Sequence, residues 1–234
     1  MKRFGVTCAG IEPILINPVT TEMLLDIRNG TTRQKRRGAD FPVEEEAREK
    51  LLWGDDYGYP GRIVLPIENL YAALKAAGRK VKKGKSQIST ATTTTLFSFM
   101  KIEEKCMVFG ASDGDEVKWE VDLRRGTNPN GGQLVVLVRP KITDWRFTVT
   151  ARVDDDIDES LVRELFTKAG TIAGLGDFRP STGGPFGMFE VASWTVLEDT
   201  SKKPAGASRS RRKAKTADNG AGKVSPKELA GAVK

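Results

Sequence analysis

Histidine is absent from this chain, and with it go the commonest general base and the commonest metal ligand of proteins. Ser-His-Asp and Cys-His mechanisms and His-coordinated zinc are excluded, which leaves only carboxylate chemistry to be tested. Cysteine is scarce too. Cys8 and Cys106 lack Cys-x-x-Cys spacing and make no zinc site by themselves, so they read as partly buried thiols of a reducing compartment. No stretch approaches the roughly 18–20 consecutive apolar residues of a membrane helix. The opening MKRFGVTCAGIEP has neither the apolar run nor the cleavage pattern of a signal peptide. These absences point to a cytoplasmic protein.

What is present is cationic charge, unevenly spread. The formal net charge is +7 over 234 residues. Residues 201–234 hold ten basic side chains against two acidic ones, Asp218 and Glu228, while the first 200 residues hold 28 against 29. The chain is a near-neutral body with a basic tail, and such a tail suits a polyanionic partner. The tail mixes Lys and Arg with Ala, Gly, Ser and Pro and has too little apolar surface for a core, so residues 201–234 are expected to be disordered. Residues 1–200 are long enough for one domain with insertions.

Along the body, residues 3–9 alternate Phe4, Val6 and Cys8 against Arg3, Gly5 and Thr7, the period of a half-buried strand. Pro13 and Pro18 make 10–18 an extended segment packed on the core. Residues 20–28 and 43–53 are expected as short helices, and 29–42 as an exposed loop. Residues 54–61 read as a turn cluster. Ile67, Leu70, Tyr71, Leu74 and Ala77 recur at helical spacing within 67–80. Thr-rich, β-branched runs from Ser89 to Phe109 favour strands, as do the alternating Val117, Trp119, Val121 and Leu123, and the segments 134–140 and 144–153. Residues 128–132 read as a loop or hairpin tip. Acids at 154–158 open the strongest helix, whose expected apolar stripe is Leu161, Leu165, Ala169 and Ile172, flanked by Val162 and Phe166. A last strand, 186–197, alternates Phe189, Val191, Ser193 and Thr195 against Glu190, Ala192, Trp194 and Val196. Without an insertion at about 20–61, the order is β-α-β-β-α-β. The expected fold class is therefore α+β, a ferredoxin-like or RRM-like core with insertions, followed by the basic tail.

The most distinctive local feature is the glycine-rich run GLGDFRPSTGGPFG at 174–187, between a helix and a strand. Gly174, Gly176, Gly183 and Gly184 admit positive φ and close backbone approach. Phosphates can then meet bare N–H groups beside the planar charge of Arg179. The alternative is a tight structural connection in which Arg179 pairs with Asp177 or another acid. The run is no P-loop, and it follows a helix rather than opening one, so it is no dinucleotide fingerprint. A C-terminal glycine-rich loop leading into the last strand of an RRM-like domain resembles that of the RAMP superfamily, RNA-binding subunits of CRISPR effector complexes. Together with GIEPILIN at 10–17 and GLGDFRPSTGGPFGMFEV at 174–191, it is also similar to a family of uncharacterised phage and prophage proteins. The resemblance implies a noncatalytic RNA-gripping subunit, with an inserted basic loop and the Gly-rich region on the strand and subunits stacked in a filament. It implies no catalytic residue and no cofactor.

Two basic clusters without acids fit such a grip. One is Arg33, Lys35, Arg36 and Arg37, with Arg28 nearby; the other is Arg79, Lys80, Lys82, Lys83 and Lys85. In a single-strand binder they would track phosphates, while the second also suits a helix C-terminus. In the tail, Arg209, Arg211, Arg212, Lys213 and Lys215 form a nucleic-acid-binding patch. Phe41, Tyr57, Tyr59, Trp119 and Trp145 are candidates for base stacking or for packing, and no RNP-type aromatic pattern is present. The acid runs Glu44-Glu45-Glu46 and Asp154-Asp155-Asp156 with Asp158 imitate a two-metal site, but they sit at expected helix starts, where capping explains them. The sequence thus points to a noncatalytic, single-stranded nucleic-acid-binding protein of phage or prophage origin that forms filaments and works in the host cytoplasm, RNA and DNA both remaining open. The alternatives are an assembly protein whose tail tethers nucleic acid and, third, a carboxylate-dependent nuclease.

Overall fold

The computed structural model of the chain describes residues 1–19, 21–30, 41–127 and 134–197. Outside the described residues lie the cluster of Arg33, Lys35, Arg36 and Arg37, the loop expected at 128–132, and the tail with Arg209, Arg211, Arg212, Lys213 and Lys215. Eight elements frame the fold: β1 (Lys2–Gly10), α1 (Ile67–Ala77), β2 (Met100–Ile102), β3 (Glu120–Thr127), β4 (Leu134–Ile142), β5 (Arg146–Val153), α2 (Glu159–Lys168) and β6 (Phe189–Leu197). The main sheet runs β6-β1-β5-β2 with every neighbouring pair antiparallel. With β3 and β4 set aside as an insertion, this is the fourth-first-third-second strand order of the ferredoxin-like β-α-β-β-α-β fold.

Alternation decides which face of this sheet is buried. Phe4, Val6 and Cys8 of β1, Phe147, Val149, Ala151 and Val153 of β5, and Phe189 of β6 all lie in the core. Leu70, Ala73 and Leu74 of α1 and Val162, Leu165 and Phe166 of α2 cover them. The opposite face is polar. There the hydroxyls of Thr7 and Thr148 lie 2.9 Å apart, and Arg3 bonds Glu103 at 2.6 Å. The aromatic rings of these strands belong to the packed face, so the stacking surface of an ordinary RRM is missing among the described residues.

Two irregularities displace expected alternations. The β1–β6 register slips between Thr7, opposite Ser193, and Cys8, opposite Val191, leaving Ala192 as the extra residue of a bulge. Phe189 and Val191 therefore share a face with Trp194 rather than with Ser193 and Thr195. Beyond α2, Ala169–Ala173 form a π-helical turn, which advances the buried stripe to Val162, Leu165, Phe166, Ala169 and Ala173. Ile172, expected in the stripe, is turned outward.

Other elements end early. The second short helix covers Val43–Glu49, after which Trp53–Gly54 pairs with the strand Tyr59–Pro66. That strand takes over only residues 59–61 of the expected turn cluster, whose residues 55–58 are the 3-10 turn Asp55–Tyr57 closed by Gly58. Helix α1 stops at Ala77 because Gly78 is pressed onto Ser89, whose amide donates to the Gly78 carbonyl at 3.0 Å. Of the strands expected from Ser89 to Phe109, Met100–Ile102 and Cys106–Val108 form, while the Thr-rich part makes a turn braced by the Thr90 and Thr94 hydroxyls and then the helix Leu96–Phe99. The apolar 14–16 stretch is extended and buried, as the sequence implies. Among the described residues, no helix is long and apolar enough to cross a membrane.

Two consequences are measurable. Gly170 lies in the π turn where an added Cβ would sit 1.9 Å from the Phe189 carbonyl oxygen. Gly170→Ala is expected to cost about 2–4 kcal/mol in urea denaturation through forced backbone displacement. Burial pushes the Cys8 thiol well above its ordinary range, so Cys8 should resist thiol reagents at pH 8 until the protein unfolds. Rapid labelling of Cys8 in native protein would contradict the buried face.

Candidate nucleic-acid interface

A charged residue inside the apolar run LVVLVRP organises one end of the sheet. Arg139 of β4 is 3% exposed. Its Nη2 donates to Asp122 of β3 at 3.1 Å, and its Nη1 donates to Asp177 of the glycine-rich loop at 2.9 Å. Among the described residues its Nε–H meets no acceptor. Asp122 also accepts from Arg124 Nε at 2.7 Å, and the Arg124 guanidinium lies over the Phe186 ring, 4.5 Å from its centroid. Asn17 reaches Asp177 at 3.4 Å. The β3–β4 pair, the extended segment after β1 and the glycine-rich loop are thereby tied together.

The loop itself is folded on protein backbone. Leu175 N donates to Gly187 O at 2.9 Å, Gly187 N to Pro13 O at 2.8 Å, and Asp177 N to Leu15 O at 2.7 Å. A Cβ at Gly176 would lie 2.4 Å from Leu15 O, and one at Gly184 would lie 1.9 Å from Phe178 O. The backbone that these glycines admit is thus the protein's own. Gly174 is buried in the same way, and only Gly183 of the four looks onto open space. Arg179 pairs with neither Asp177 nor any other acid among the described residues. Its Nη1 donates to Gly176 O at 2.6 Å and its Nε to Ser181 Oγ at 2.9 Å, holding the half-buried guanidinium at the loop surface.

The remaining expected residues divide between two ends of the molecule. The glycine-rich loop sits where β1 finishes, since Gly10 pairs with Phe189. The cluster at 79–85 sits where β1 starts, because Lys83 reaches Asp156 at 3.8 Å and Lys2 donates to Ile157 O at 2.8 Å. That cluster is a two-stranded hairpin, Lys82–Lys83 with Ser86–Gln87 around Gly84 at φ 64°, rather than a fraying helix end. Arg79, Lys80, Lys82, Lys83 and Lys85 are all exposed on it. Two 9-residue strand neighbours separate the ends, about 25–30 Å of chain. Arg28 is exposed in the last turn of the helix Thr21–Arg28.

Several residues at the loop end escaped the sequence reading. Arg124 and Arg125 are exposed on β3, and Arg139, a lone charge within a hydrophobic run, is the signal that a buried partner must exist. Trp53, also passed over, and the expected stacking candidates Tyr57 and Tyr59 are each more than a third exposed; Trp53 and Tyr59 lie on paired strands and Tyr57 in the 3-10 turn between them. Trp145 is buried against Phe109 and Phe147 and is not available for stacking. Glu44, Glu45 and Glu46 open a helix, and Asp155 and Asp156 pair with the N-terminus and Lys83. Among the described residues, no three carboxylates or thiols converge on a metal position. The Asp144 carboxylate is held below its ordinary range first by the Ser112 hydroxyl and then by the Ser112 amide, which pins the 110–115 turn beside this end.

No family model matches the chain, and no curated protein matches its sequence. Among solved structures it is similar to a chain of the Type III-B Cmr-beta complex bound to cognate target RNA, determined by cryo-EM. The two share 13% identity with a TM-score of 0.45, over 84% of this chain and 61% of that one, so this chain spans about three-fifths of its neighbour. A likeness of this size carries no argument about function.

Replacing one partner of the buried network should be costly. Asp122→Asn is expected to lower stability by about 3 kcal/mol in chemical denaturation, whereas the double change Arg139→Met with Asp122→Leu should cost less than the single one. Separately, Ser112→Ala should raise the Asp144 titration toward its ordinary 3.8, read by carbonyl NMR. The sign follows from the lowered value: the Asp144 contribution is present above about pH 4 and is lost as the pH falls through the folded-state value.

Proposed function

We propose that the chain is a noncatalytic, RAMP-like protein that binds single-stranded nucleic acid with the loop end of its sheet. The observation that carries this reading is a set of cations at that end, exposed Arg124 and Arg125 and half-buried Arg179, with the exposed aromatics Trp53, Tyr57 and Tyr59 on the hairpin Trp53–Pro66, whose neighbouring strand leads into the Gly110–Arg146 bridge at the start of β5. A strand held without sequence preference needs these two elements, a cationic track for phosphates and faces on which bases stack. The hairpin at 79–85 supplies a second cationic surface at the far end of the sheet, so a strand gripped by both would run along the domain. Stacking of copies into a filament would continue that path. The residues at 10–17 and 174–191 support a phage or prophage origin, and action in the host cytoplasm accompanies it. The noncatalytic part of the reading rests on the missing histidine.

The charge distribution favours one alternative. Since the basic excess lies in residues 201–234, the body would be an assembly protein and the tail its only tether to nucleic acid.

Fluorescence anisotropy with single- and double-stranded RNA and DNA across a salt series separates these readings, using the full chain and a chain truncated after residue 200. The truncated chain should retain single-strand binding at low salt. Arg125→Ala should weaken it and flatten the log–log salt slope by about 0.7, the share of one phosphate contact on a single strand. A truncated chain without affinity even at low salt would overturn the proposal in favour of the tethering alternative. Shortened products with magnesium would point to the nuclease instead.

A further inference from the structure

Trp53 and Trp119 line the same cavity, about 320 Å³ in volume, together with Arg62, Ile63, Phe109 and Lys118. An adjoining trough of about 600 Å³ shares both indoles. The rings of the other two tryptophans are packed among aromatics, although the buried Trp194 Nε1–H meets no acceptor among the described residues. Trp145 stacks among Phe109, Phe147 and Phe189 and donates its Nε1–H to Glu12 O at 3.0 Å. Trp194 packs on Phe4 and Phe166 under the Arg163 guanidinium. Trp53 is 37% exposed and Trp119 is half-buried. Among the described residues, neither ring contacts another aromatic and neither indole N–H meets an acceptor. Single exposed aromatics are ordinary on a surface, but two indoles lining one cavity, Trp53 partly exposed and Trp119 packed on the core, offer ring surface to a ligand.

The polar groups around the indoles are mixed in sign, with cations in excess in the cavity and acids in excess along the trough. Arg62 is exposed, and its Nη2 donates to Phe109 O at 2.9 Å. This bond fixes the guanidinium at the wall and leaves further donors for a ligand. Lys118 is exposed beside Trp119, and Glu116 is the single acid lining this cavity. The carboxylates of Glu44, Glu45 and Glu49 lie with Arg48 along the outer trough, a net negative lining that would keep a phosphate to the Arg62–Lys118 side. The amides of Val117, Lys118 and Trp119 meet no backbone carbonyl among the described residues. The cavity is of the size that encloses a small organic ligand. It also lies at the loop end of the sheet: Phe109 is 5.5 Å from Trp145 between ring centroids, and Gly110 bridges to Arg146, the first residue of β5.

We infer that this cavity is a subsite for one unpaired nucleobase, stacked on Trp53 and Trp119 with its phosphate against Arg62 and Lys118. The inference rests on the proposed nucleic-acid binding and adds where a base is held. It gives two residues from distant parts of the chain one role, which Tyr57 and Tyr59 extend along the adjoining surface.

The test uses the full chain labelled with nitrogen-15, in which the indole N–H signals are assigned by Trp→Phe variants. The titrant is a single-stranded oligonucleotide of about 12 nucleotides, within the span of one small single-strand-binding domain. The Trp53 and Trp119 indole signals should shift on titration while that of Trp145 stays. Trp53→Ala, at an exposed position, should fold normally and lose roughly tenfold in affinity, the scale of one base–aromatic stack. Trp119→Phe keeps a ring in the core and should leave the fold intact with a smaller loss. An oligonucleotide that binds without moving either indole, and with equal affinity for Trp53→Ala, would overturn the subsite and leave the binding reading standing. An oligonucleotide that does not bind at all would overturn both.

Discussion

The buried guanidinium of Arg139 sets the architecture of one end of this protein. A charge taken out of water inside a β-strand costs several kcal/mol unless hydrogen-bonded acids meet it. Here the two acids come from different places: Asp122 from the neighbouring strand β3 and Asp177 from the glycine-rich loop. Satisfying Arg139 therefore docks the β3–β4 pair and the loop onto each other, and Asn17 brings the segment after β1 into the same junction. Asp122 also turns Arg124 toward Phe186, so one buried charge positions an exposed one.

This junction explains why the loop is so rich in glycine. Gly176, Gly184 and Gly187 each sit where a Cβ would collide with a backbone carbonyl, of Leu15, Phe178 and Leu175 respectively. The close approach is between protein segments, and it lets the loop cover the sheet end while Arg179 stays at the surface. The loop's conformation is consequently structural, while Arg179 is held at its surface by Gly176 O and Ser181 Oγ and Arg124 lies over its Phe186 ring.

Strict periodicity carried the legible part of the fold. Phe4, Val6 and Cys8, and likewise Trp145, Phe147, Val149 and Ala151, alternate without interruption, and they form the buried face of β1 and β5 as read. The strand order follows from the succession of elements. Periodicity failed where the backbone inserts or adds a residue: the Ala192 bulge and the π turn at Ala169–Ala173 each shift the pattern, and neither has a local sequence mark. The candidate site was legible in part. The glycine-rich loop and the 79–85 cluster stood out by composition, but composition does not say that they occupy opposite ends of the sheet. The pairing of Trp53 with Trp119 was invisible, because only the tertiary fold brings them to one cavity.

The central claim is that nucleic acid is held by the body, at the loop end of the sheet, rather than by the tail alone. Ultraviolet crosslinking of a bound single strand to the full chain, followed by peptide mapping, tests it most directly. Crosslinks should concentrate on the peptides that carry Trp53 to Arg62, Lys118 to Arg125 and Gly174 to Arg179. Crosslinks confined to residues 201–234 would contradict the account.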